Sequence, residues 1–193
     1  MIAFPKGNAA SGPSVALDGV LLLGATGRLG SMLRRHWPEP EALRSQSRQP
    51  RPGFYNFDLP AAGEGPSDAA ISAARGARAV ISLAGVTPAR AGACGAALED
   101  NVTLALAALK LAEAAAVPRF FVASSAAVYG AQDGPLREDM PCAPLSEYGR
   151  QKLAMEQAVR EAGGKTAVTA LRIGNVAGAD AILGGWQPAM QID

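Results

Sequence analysis

Tyr148 and Lys152 stand four residues apart in the stretch "SEYGRQKLAMEQ". On a helix that spacing places both side chains on one face. A phenol ordinarily holds its proton to about pH 10 and is a poor base at neutral pH, but an adjacent ammonium favours the phenolate. An isolated Tyr–Lys pair of this spacing is most often surface decoration, so its surroundings decide whether it does chemistry. A second stretch with chemical promise is "GATGRLG" at 24–30, with "VLLL" before it and "SMLRRHW" after it. If a strand hands over to a helix here, Gly24 permits the tight turn and Gly27 lets backbone approach a phosphate. Gly30 lets the helix pack close to the sheet, and the helix N-terminus faces an anionic pyrophosphate. The spacing is G-x-x-G-x-x-G, not the G-x-G-x-x-G of the plain dinucleotide fingerprint. No Lys-Ser/Thr pair follows, which excludes a P-loop.

The elements that must hold these residues alternate along the chain. "GVLLLG" (19–24) reads as a buried strand, and "RLGSMLRRHW" as a helix stopped by Pro38. "EALRSQSR" (41–48) and "GFYNFDL" (53–59) read as second and third strands, and "SDAAISAAR" (67–75) as a short helix capped by Ser67. "ARAVISLAG" (77–85) is a buried strand, followed by a long helix from about Ala97 to Ala116 that Pro118 ends. Next come the strand "RFFVASS" (119–125), a helix within 144–164 with Gly163 and Gly164 beyond its end, and the strand "TAVTALRIG" (166–174). Such alternation predicts an α/β fold, a Rossmann-like doubly wound parallel sheet with helices on both faces. Ligands of these sheets bind at the carboxyl ends of the strands. Every candidate above falls at such an end or on a helix beside one.

The bulk properties set limits. A chain of 193 residues suits one domain, here 18–193, with 1–17 read as a loose leader and not a secretory signal. A net charge of +1 gives no long-range field for nucleic acid or an anionic membrane, and the apolar runs are too short to span a bilayer. Cys94 and Cys142 have no pairing motif, which fits a reduced, cytoplasmic setting. His36 is the single histidine, so no zinc site of the usual kind is expected and it reads as an exposed helix residue. The expected partner is a small-molecule substrate, with a homodimer left open.

"GATGRLG", "FDL", "SLAG", "ASSAAVYG" and "YGRQK" occur in the order and rough spacing of the extended short-chain dehydrogenase/reductase family. This group of NAD(P)-dependent epimerases, dehydratases and reductases acts largely on sugar nucleotides, and the resemblance covers about residues 19–178. It implies that Tyr148 exchanges a proton with a substrate hydroxyl and that Ser125 orients that oxygen. Hydride would pass to or from the nicotinamide, whose ribose Lys152 would hold. It further implies cofactor contacts from Gly24, Thr26, Gly27, Arg28, Leu29 and Gly30 of the turn. Leu83, Ala84 and Gly85 would line the cofactor, and Asp58, with Leu59 beside it, would meet the adenine amino group. Asn101 matches a helix asparagine of structural importance. Ser124 rivals Ser125, since strand alternation alone cannot separate them, and Tyr129 reads as a structural or substrate-side residue.

Two departures bear on the cofactor and on the extent of the chain. An acidic residue about 20 positions beyond the glycine turn would suit the ribose of NAD. Here "RSQSRQPR" offers Arg44, Arg48 and Arg51 instead, and Arg28 sits in the turn itself. The reading is therefore NADP in preference to NAD, with Arg28 and Arg48 on the 2′-phosphate. In "LRIGNVAGADAILGG", Ala177 and Ala179 replace the family's usual tyrosine and proline, and the family normally continues well past this point. The chain thus reads as a fragment, or as a reduced member without most of the substrate pocket. The competing function is a non-catalytic NAD(P)-binding or redox-sensing module.

Overall fold

The structure, a computed structural model, describes residues 18–176. The leader expected at 1–17, and Ala177 and Ala179 of the family-like tail, lie outside the described residues. Strand β1 (Val20–Leu23) is buried at every position, as a strand covered on both faces must be. Helix α1 (Arg28–His36) stops ahead of Pro38, and His36 is exposed. A 3₁₀ turn at Pro40–Ala42 leads into β2 (Leu43–Ser47). The third strand, β3, is only Tyr55–Asn56, much shorter than the seven residues its sequence suggests. Its one neighbour, β2, ends at Ser47, opposite Asn56, so the ladder has nothing further to pair with. Beyond it the buried Gln46 side chain donates to the Phe57 carbonyl at 2.6 Å.

Helix α2 (Asp68–Ala74) is capped by Ser67, whose Oγ accepts the Ala70 N–H. Strand β4 (Ala79–Ser82) is followed by α3 (Pro88–Cys94), a short helix that the sequence reading leaves unassigned and that opens on proline. Helix α4 (Asp100–Ala114) ends earlier than Pro118 alone would require. Ala116 takes φ +54°, and the Val117 N–H returns to the Ala112 carbonyl at 2.8 Å, a Schellman-type stop built on alanine where glycine is usual. Strand β5 (Arg119–Ser125) runs into a 3₁₀ turn (Ala126–Val128), and α5 (Glu147–Glu161) and β6 (Ala167–Ile173) follow.

All six strands are parallel, in the order β3-β2-β1-β4-β5-β6. The order reverses between β1 and β4, which opens a crevice at their carboxyl ends. Leu21, Leu23, Val80, Phe120 and Val122 of the sheet pack against Ala108, Leu109 and Ala112 of α4 and Met155 and Val159 of α5. Among the described residues no helix is long and apolar enough to cross a membrane.

Candidate active site

The three glycines of the turn are not equivalent. Gly24 has φ +74°, and a Cβ there would lie 2.8 Å from the Ala84 nitrogen. A Cβ on Gly30 would strike the Gly24 carbonyl oxygen and lie 2.8 Å from the Ala25 Cα. Packing of the chain on itself therefore demands both. Gly27 has an ordinary φ of −71°, and its Cβ would touch only the Gly24 oxygen, at 3.3 Å. Gly27 also opens α1 without a side-chain cap, whereas Ser67 caps α2 and Ser146 caps α5. The space in front of α1 is thus kept clear of side chains beyond what the fold needs. Such a cradle fits the pyrophosphate of a dinucleotide. Thr26 and Arg28 are exposed at its rim, and Leu29 is half-buried.

Beside the turn, the Leu83 N–H donates to the Leu23 carbonyl at 3.0 Å, and Leu83, Ala84 and Gly85 run on past the crevice. Asn101 fixes this run. Its Oδ1 accepts the Val86 N–H at 3.1 Å, and its Nδ2 donates to the Val86 and Leu98 carbonyls at 2.9 and 2.8 Å. A Cβ on Gly85 would lie 2.7 Å from Asn101 Oδ1 and 3.4 Å from Lys152 Nζ. The β4 end therefore threads between these two side chains, which is the structural importance Asn101 was expected to have.

Asp58 and Leu59 follow β3 and line a cleft of about 340 Å³ together with Phe57, Glu64 and Ser67. Arg48 is exposed directly after β2. Arg44, one of the arginines the sequence groups near a 2′-phosphate, does not join it. It stands near the amino end of β2, donating to the carbonyls of Asp18, Ala73 and Arg75. The sequence places Arg44 in the second strand but could not show that its guanidinium is taken up by these carbonyls, at the end of β2 far from the crevice.

At the carboxyl end of β5 the pleat separates the two serines. Ser124 faces the buried side of α5 and donates from Oγ to Glu156 Oε1. Ser125 is half-buried, accepts the Ala127 N–H at 3.2 Å, and shares a side-chain hydrogen bond with Tyr148. Lys152 is buried, donates to the Ala123 carbonyl at 2.9 Å, and has its Nζ 5.9 Å from the Tyr148 ring centre. Ser125, Tyr148 and Lys152 thus meet on one patch. Burial pulls Lys152 down to about 8, opposed by the charge of Glu156. Burial pushes the Tyr148 phenol up, and the Ser125 hydrogen bond only partly offsets this. The phenolate that an adjacent ammonium was expected to favour is thus not what governs Tyr148 in the chain alone: burial does, and it holds the phenol above its ordinary value.

The family model described as the NAD dependent epimerase/dehydratase family matches residues 20–186. The chain belongs to this family. It is 40% identical over 84 residues to a UDP-glucose 4-epimerase of Azospirillum brasilense, a match covering 42% of this chain and 24% of that protein. A UDP-glucose 4-epimerase of Corynebacterium glutamicum is 42% identical over 83 residues, covering 42% and 25%. The solved structure of MoeE5 in complex with UDP-glucose and NAD aligns with a TM-score of 0.63 at 30% identity, over 80% of this chain and 53% of that one. The match thus spans about a quarter of the curated relatives and about half of the solved neighbour.

Sequence reasoning missed the pair behind this patch. Glu156 is 2% exposed and takes Arg172 Nη2 at 2.8 Å and Arg172 Nε at 3.1 and 3.2 Å. Arg172 also donates to the Tyr129 hydroxyl at 2.9 Å and to the Glu138 carbonyl at 3.3 Å, and lies over the Tyr129 ring. Tyr129, 3% exposed, is therefore a structural residue here. The available signal was Glu156 itself, an acid continuing the four-residue spacing of Tyr148 and Lys152.

Proposed function

We propose that the chain is the dinucleotide-binding portion of an NAD(P)-dependent epimerase, dehydratase or reductase whose substrate is a nucleotide sugar. The carrying observation is the convergence of Ser125, Tyr148 and Lys152 beside a crevice whose one non-obligatory glycine, Gly27, fronts an uncapped helix. The named relatives, UDP-glucose 4-epimerases and a protein solved with UDP-glucose and NAD, support the substrate class.

In this reading the turn residues Gly24, Thr26, Gly27, Arg28, Leu29 and Gly30 hold the pyrophosphate side of the cofactor. Asp58 and Leu59 hold the adenine side, and Leu83, Ala84 and Gly85 line its middle. When bound, the nicotinamide supplies hydride exchange. Tyr148 gives or takes a proton at its hydroxyl, and Ser125 fixes the position of the reacting oxygen. Lys152 provides the charge that steadies a phenolate, and a hydrogen bond to the ribose. For the choice of cofactor we read Arg28 and Arg48 as favouring a 2′-phosphate, hence NADP. Both are exposed, and β2 ends without a carboxylate. A non-catalytic cofactor-binding module would have no use for a buried lysine beside a Ser–Tyr hydrogen bond.

The test is titration of the chain with NADPH and NADH, wild type against Gly27→Val. Binding lost in the variant with helical content kept supports the cradle. Equal affinity in both proteins removes the turn from the site.

A further inference from the structure

Tyr148, Lys152 and Glu156 form a single stripe along α5, and each grips a different one of three successive β5 residues. Tyr148 bonds the Ser125 side chain, Lys152 the Ala123 carbonyl, and Glu156 the Ser124 hydroxyl. The first two belong to the proposed reaction; the third has no part in it. We propose that Glu156 is a positioning residue, a buried carboxylate that locks α5 to the end of β5 and serves as the counter-charge of the Lys152 ammonium. The inference rests on reading Tyr148 and Lys152 as site groups.

Lys152 needs such a partner. Its Nζ has a carbonyl oxygen at 2.9 Å and the Met155 sulfur at 3.8 Å, both neutral. Across from it stand the Tyr148 ring on its own helix, Gly85 after β4, and the uncharged Asn101 amide of α4. Glu156 is the charge that acts on it. The carboxylate is in turn held by Arg172 from β6 and Ser124 from β5. Behind Arg172 lie the Tyr129 hydroxyl and the Cys142 thiol. With both oxygens fixed, the carboxylate cannot swing away from the stripe, so it biases Lys152 without collapsing onto it. An ammonium kept charged is what a phenolate on Tyr148 would require.

The experiment follows the Lys152 amine in the cofactor-free chain by NMR, using isotope-labelled lysine. The chain has four lysines, and Lys152→Met assigns the resonance. Glu156→Gln keeps the shape and an acceptor for Ser124 but removes the charge. The expected result is a fall of the Lys152 midpoint by about one pH unit or more. An unchanged midpoint overturns the proposal. If Glu156→Gln does not fold, the double variant Glu156→Gln/Arg172→Met is compared with Arg172→Met, so that the two differ only in the carboxylate. The Lys152 midpoint should be lower in the double variant by about one pH unit or more, and equal midpoints overturn the proposal. Ser124→Ala keeps both charges, and its midpoint should stay near that of the wild type. A fall there as large as in Glu156→Gln would assign the effect to loosened packing and overturn the proposal. Since no cofactor is present, these outcomes stand apart from failure of the functional reading, which would show as absent NADPH and NADH binding.

Discussion

At the end of β1 the backbone of Gly24 comes so near Ala84 that an added Cβ would lie 2.8 Å from its nitrogen. At the end of β5 the approach is made by side chains instead: Ser124, Ser125 and the α5 stripe fill the space between strand and helix with hydrogen-bonded groups. One half of the site works by leaving side chains out, the other by burying charged ones. The first tolerates almost no added volume. The second tolerates changes of shape but not the loss of a partner, because an orphaned buried charge is costly.

Predictions that would break this contrast run from large to small. Gly24→Val forces a β-branched residue to φ +74° and into the Ala84 backbone, and should cost about 4 kcal/mol or more, read by urea unfolding. A folded Gly24→Val of near-normal stability would show that the turn can relax, and the contrast would fail. Tyr148→Phe keeps the ring but removes the proton, so turnover of a nucleotide sugar should fall about 10²–10⁴-fold while cofactor still binds. Near-normal turnover would sink the catalytic assignment.

Lys152 offers a smaller and cleaner test of the buried-charge half. Its folded midpoint of about 8 lies below the roughly 10.4 of an unfolded lysine, so between these values the unfolded chain binds more protons. Stability should therefore rise with pH from about 8 towards 10, on the order of 3 kcal/mol in all. Above about 10 the raised Tyr148 phenol works in the opposite direction, since the folded chain then keeps its proton longer than the unfolded one. Lys152→Met should flatten the rise in chemical-denaturation curves taken across the window, and an unaltered slope would place the titrating group elsewhere. Last, Arg28→Ala with Arg48→Ala should weaken NADPH more than NADH, each lost charged hydrogen bond being worth roughly 1.5–3 kcal/mol. Equal losses would show that neither arginine reads the phosphate.

The same contrast explains what was legible in the sequence. Glycines that exclude side chains announce themselves, because regular structure otherwise avoids them; hence the turn at 24–30 and the strand before it were readable. The Tyr148–Lys152 pair was readable because both members share one helix. Arg172 was not, since its partner Glu156 lies on another element and nothing local marks a strand arginine as paired. Arg44 misled for the same reason: its three carbonyl partners come from Asp18 and from the end of α2, distant in sequence. The shortness of β3 was hidden because strand length depends on where β2 ends, which the aromatics at 53–59 do not report; of these only Phe57 is buried, and Tyr55 is exposed.

The pairing of β1 with β4 has a kinetic consequence. Leu23 and Ser82 are register partners although 59 residues separate them, so the crevice closes only after a long loop has been brought together. Parallel pairings of this kind form slowly, because the entropy of closure is lost before the contacts form. A dinucleotide held across that seam would find nothing to bind in chains that have not yet joined the two strands. By mass action, ligand at a hundred times its Kd would then deepen the folded well by about 2.7 kcal/mol, so the protein's lifetime in a cell would track its cofactor supply.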